Sequence, residues 1–165
     1  MKDPYGSGMF KENPYYMKSD IQGQLVAVLR GVYEERGLEL IKPISRCVKT
    51  HEIHELIASD EPDIGAGSTV NRIAYLGFME ILNGGVITIG DGLFWIPQRA
   101  RFSQRRFRHR AKFREYGESI GFIAGFDETH MPNHLNIVVR CDKRITGEQF
   151  GFRPGDGIMI RQTKE

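Results

Sequence analysis

Cysteine is scarce in this chain: its 165 residues include only Cys47 and Cys141. Two thiols so far apart make neither a disulfide framework nor a cysteine-built zinc site. Both are expected to be reduced and buried. No apolar run approaches the roughly 18 residues that span a bilayer. The opening stretch "MKDPYGSGMFKENPYYMKSD" has no apolar centre of the kind a secretory signal needs. Internal repeats and low-complexity tracts are missing as well. These absences argue against a membrane partner and point to the cytoplasm.

The apolar content of 40% is enough for a real core, and the length suits one domain. Residues 1–22, rich in Gly, Pro and Tyr, read as an irregular arm, and residues 23–165 as a single folded unit. Period-two patterns and turn signals dominate that unit. "QLVAVLRGVYEERGLELIKPISRCV" reads as two strands joined at Glu35-Arg36-Gly37, with Pro43 at a bend or edge. "HEIHELIASDEPD" is either a short helix or a strand. A helix over Thr69–Leu82 capped by Ser68 competes with a strand over Arg72–Leu82, and β-branched and aromatic residues favour the strand. That strand would end in a tight Asn83-Gly84 hairpin turn, followed by strands at 86–89 and 93–96 about a Gly90-Asp91-Gly92 turn. Three further strands are expected at 120–125, 135–140 and 157–161, the last fed by the Pro-Gly turn in "RPGDG". The expected fold is all-β with minor α, a single closed or half-closed small β-barrel.

Charge is unevenly placed. Residues 99–114, "RARFSQRRFRHRAKFR", hold eight of the 23 Lys and Arg residues and no acid, leaving 15 bases against 21 acids elsewhere. Within this segment Arg106, Arg108, Arg110, Lys112 and Arg114 fall on alternate residues. On a strand they would share one face. Same-face cations about 7 Å apart lie within a Debye length and repel unless anions compensate them. Acids on neighbouring strands or on a second subunit, a phosphate-bearing small molecule, or nucleic acid would each supply that compensation.

A second concentration of chemistry is "FDETHMPNHLNIVVR", residues 126–140. His130 and His134 follow Asp127 and Glu128, while His51 and His54 stand beside Glu52 and Glu55. Together the four histidines are candidate ligands for zinc, iron or manganese. Pro132 breaks any helix between His130 and His134, so the segment is a loop running into a strand. An alternative is structural: Asn133 and Asn136 hold the turn, and the histidines satisfy buried carbonyls. The third alternative is a polar ligand bound at the barrel mouth.

"MPNHLNIVV" followed by "FGFRPGDGIMI" resembles the archaeal-type, CTP-dependent riboflavin kinases, which are cradle-loop barrels. The closing Gly-Asp turn is similar in other barrels of that kind, including AbrB-like transcription factors. The resemblance covers about 25 residues. It implies that Pro132, Leu135 and Asn136 match the kinase motif, with Asn136 near nucleotide phosphate. Asn133 replaces the family's glycine, and His134 stands where a threonine would help hold magnesium. "DIGAGST", residues 63–69, is a glycine loop able to offer backbone N–H groups to phosphate but is not a Walker motif.

These patterns favour a protein that binds a small anionic ligand, a nucleotide or acidic metabolite, at a mouth lined by His130, His134, Asn133 and Asn136. Arg106, Arg108 and Arg110 would neutralise its charge. A catalytic version gives acid–base work to His130 or His134, because imidazole titrates near neutral pH. The alternatives are a non-enzymatic module whose basic strand binds an acidic protein, a second copy of itself or nucleic acid, and a metal-dependent enzyme. No cofactor is specified by the residues.

Overall fold

The computed structural model describes residues 13–15, 17–98, 117–128 and 134–163. Twelve strands and one short helix are present among them. The strands are β1 (Ile21–Val28), β2 (Val32–Tyr33), β3 (Leu38–Glu39), β4 (Ser45–Val48), β5 (Ile53–Ser59) and β6 (Thr69–Val70). They continue with β7 (Ile73–Asn83), β8 (Gly85–Thr88), β9 (Gly92–Ile96), β10 (Glu118–Asp127), β11 (Asn136–Arg140) and β12 (Gly157–Arg161). The helix, α1, is Gly147–Phe150.

Seven strands pair in a ring, in the order β1, β12, β9, β10, β11, β5, β7 and back to β1. Strand β2 extends β7, while β3–β6 and β4–β8 are separate two-stranded ribbons. The chain is thus all-β with minor α, and β1 starts inside the expected arm. Pairings within the ring are antiparallel except β11–β5, which is parallel.

Alternation sorts the apolar residues between two cores. All seven ring strands contribute to the larger cluster, including Ile21, Leu56, Leu76, Met79, Leu93, Phe126, Ile137 and Ile160. On the other face of β5, β7, β10 and β11, a smaller cluster of Ile57, Ile73, Ala124 and Val138 is covered by Leu38, Leu40 and Val70 of the β3–β6 region. A Cβ at Gly125 would lie 2.8 Å from a Leu40 methyl group, so glycine lets this covering strap settle. Strand β5 is buried on both faces, which is why its run "HELIAS" shows no clean alternation.

Three expectations need correction. Asn83-Gly84 makes no hairpin, because β7 pairs with β1 and β5 whereas β8 pairs with β4. Gly84 serves a close approach instead: its Cβ would meet the Val48 carbonyl oxygen at 2.7 Å. Cys47 is exposed, because β4 pairs only with β8 and its outer face stays uncovered. Cys141 is buried as expected, and burial pushes its thiol up to about 12. The helix α1 was not anticipated, although Thr146 and Gln149 form its reciprocal N-terminal cap.

The turn before β12 is held by Asp156, 2% exposed. Its carboxylate accepts hydrogen bonds from Trp95 Nε1 and the amides of Gln98 and Arg153, each at 2.9 Å. The Gly155 amide donates to Leu25 O at 2.7 Å and the Leu25 amide to Asp156 O at 2.9 Å, tying this turn to β1. Asp156→Ala is expected to cost about 3 kcal/mol or more in urea denaturation, because three donors lose a charged acceptor. An unchanged midpoint would refute this account.

Candidate functional site

Cross-strand register assembles the corner. In β10–β11 Asp127 faces Asn136, in β11–β5 Asn136 faces Glu55, and in β5–β7 Glu55 faces Phe78. Opposed residues share a face, with strands about 4.8 Å apart. Asn136 alternates with the core residue Ile137, so the row lies on the face of the smaller cluster, beyond Val138. Asp127, Asn136 and Glu55 are all buried. A row of three polar side chains thus sits where an ordinary sheet would place apolar ones.

The two histidine pairs meet through this same register. His134 Nδ1 donates to Ile53 O at 2.6 Å, and its ring packs edge-on against Phe78 with centroids 5.9 Å apart. His54 Nδ1 accepts the Leu135 amide at 2.9 Å, which fixes its proton on Nε2, 3.2 Å from Glu52 Oε1. Glu52 Oε1 also accepts the Lys49 amide at 2.7 Å, and that bond is the main reason its carboxyl titrates low. Neither nitrogen of His54 is left for a metal. His51 stands apart, exposed, with Nδ1 3.5 Å from Glu80 Oε1. Among the described residues no three His, Cys, Asp or Glu side chains group as a metal site. The structural alternative for the histidines is therefore met at His134, whose partner is a carbonyl. It is not met at Asn136, which makes no turn-holding hydrogen bond among the described residues.

Asn136 is the anomaly. It is 1% exposed, yet among the described residues neither its Oδ1 nor its Nδ2 has a hydrogen-bond partner. Buried amides are nearly always paired, and each unsatisfied group costs about 1–3 kcal/mol. Beside it, burial lifts the Glu55 carboxyl above its ordinary range, with Arg36 and His134 opposing that shift.

Arg36 went unnoticed in the sequence because it sits in a glycine turn that reads as solvated. The turn leads into the strap, and Arg36 Nε donates to Tyr75 Oη at 2.8 Å. Its terminal nitrogens have no partner among the described residues. At the rim, Arg46 Nε pairs with Glu128 Oε1 at 2.6 Å. Arg106, Arg108, Arg110, His130, Pro132 and Asn133 lie outside the described residues, as does the expected one-sided cation strand.

The fold and this corner define an all-β protein with a buried polar row on the outside of a seven-stranded ring. The chain belongs to a family of unknown function, DUF6917, whose model matches residues 15–100 and 110–161. No curated protein and no solved structure matches it. No helix among the described residues is long and apolar enough to cross a membrane.

Burial is the first cause holding His54 below its ordinary 6.5, against the pull of Glu52. The unfolded chain therefore binds more protons as pH falls, so this contribution to stability is full above 6.5 and declines below it. His54→Asn keeps an acceptor for the Leu135 amide but cannot titrate. Its melting temperature is expected to fall less steeply than that of the parent protein below pH 6.5. Parallel melting profiles would refute the assignment.

Proposed function

We propose that this chain binds a small anionic molecule, a nucleotide or acidic metabolite, whose polar head sits on the Asp127–Asn136–Glu55 row. The observation that carries this reading is Asn136, a buried amide that lies between two buried carboxyl side chains and has neither polar atom partnered among the described residues. An amide offers a donor and an acceptor side by side, suited to a nucleobase or amide-like edge. Where a ligand carries an acceptor, Glu55 in its protonated form would donate to it.

The fork of Arg36 is the described cation best placed for the anionic part, since arginine matches carboxylate and phosphate geometry. Arg106, Arg108 and Arg110 belong to the same reading as further neutralising charge. The resemblance to CTP-dependent riboflavin kinases singles out Asn136 and supports reading the ring as a small cradle-loop barrel. The Asp156 turn tied to β1 also supports that reading. In any catalytic version, His134 would act through Nε2, because Nδ1 is engaged with Ile53.

Asn136→Leu separates a ligand role from a structural one. Removing an unpaired buried amide is expected to stabilise the unliganded protein by about 1 kcal/mol. In a melting screen with nucleotides, flavins and acidic metabolites, the parent protein should be stabilised by about 2.7 kcal/mol at a hundredfold excess over Kd. Asn136→Leu should show no such shift. A destabilised variant, or one that still responds, would refute the proposal.

A further inference from the structure

A groove of about 280 Å³ lies on the same sheet face, at the opposite end of β11. Ile64, Ile89, Phe122 and Ala124 make its apolar walls, with Gly90 and Thr163 at one side. The Thr163 hydroxyl is already used, donating to Gly90 O at 2.9 Å. Arg140 remains as the charged lining residue. It faces Phe122 across the β10–β11 ladder, and its guanidinium has no ion pair or hydrogen bond among the described residues.

Two features define the groove chemically. Phe122 leaves 42% of its surface exposed at the groove, although most large apolar side chains of this sheet are covered. Among the described residues the exposed guanidinium beside it has no acid, as is also the case for Arg30, Arg36 and Arg153, whereas Arg46, Arg72, Arg144 and Arg161 each pair with a carboxylate. An apolar slot ending in one unpaired guanidinium complements a molecule with an apolar body and one terminal carboxylate. A cavity of about 150 Å³ takes benzene, so this groove has room for a ring with a short acid side chain.

We propose that this groove is a second binding site, for a small amphipathic carboxylate such as an aromatic or medium-chain aliphatic acid. Arg140 would hold the carboxylate by its planar fork, while Phe122, Ile64 and Ile89 cover the apolar body. The site is separate from the Asn136 row: the strap carrying Leu40 covers Val138 between them.

Calorimetric titration of the full chain with 3-phenylpropionate and octanoate, against their matching primary alcohols, tests it. Each acid should bind about tenfold or more tightly than its alcohol, the discrimination expected of one charge-assisted pair. Arg140→Met should erase this difference while leaving alcohol binding unchanged, and Phe122→Ala should weaken both ligands. Asn136→Leu should leave acid binding as it is, which keeps this proposal independent of the other site. Equal binding of acid and alcohol, no binding of either, full acid affinity in Arg140→Met, or loss of acid binding in Asn136→Leu would each overturn it.

Discussion

The parallel pairing of β5 with β11 is the constraint on which the rest of the molecule depends. The other six ring pairings are antiparallel, and this one joins strands more than 70 residues apart in the chain. Remove it and the ring opens between β11 and β5. The chemistry of the corner also follows from it: one register aligns Asn136 with Glu55, brings the Leu135 amide to His54 and carries His134 to the Ile53 carbonyl. Both imidazoles bond to backbone atoms, so they fasten the two strand starts together. A parallel junction of only five residue pairs gains from such pins, since parallel ladders are slightly weaker per residue.

The outer face of β11 reads as three zones. Asn136 lies in a polar row, Val138 lies under the strap, and Arg140 lies at an apolar groove. The middle zone behaves as ordinary core and contributes stability by burial. The outer two depart from it in opposite ways, one by enclosing amide and carboxyl groups, the other by leaving apolar surface and a cation in the open. Departures from packing rules tend to fall where a protein meets something else, and here they flank the part that obeys those rules.

Much of the strand pattern was legible because it is local. The β-branched and aromatic residues of β7, the alternation in β11 and β12 and the glycine turn before β9 carry their meaning within a few residues. Asn83-Gly84 misled because a turn signal says nothing of partners, and the two flanking strands leave in different directions. The cap on α1 was written as Thr146 and Gln149, yet one turn of helix leaves no periodicity to notice. At the corner, Asn136 and His134 stood out by residue type. The burial of Glu55 and Asp127 and the approach of Arg36 did not, because they arise from a pairing across the chain and from a strap folded over a glycine. Which histidines would be neighbours was likewise a property of topology.

The corner's register also limits how the chain can vary. Side chains alternate along a strand, so shifting β11 by one position against β5 would turn Ile137 and Val139 outward and drive Asn136 and Arg140 into the main core. Losing a single residue between Asn136 and Arg140 would impose that inversion. Equivalent losses in the connection from Asp142 to Ile145, which belongs to no strand, would leave facing unchanged. Length changes in this protein are therefore expected to gather after β11 and to stop at its boundary.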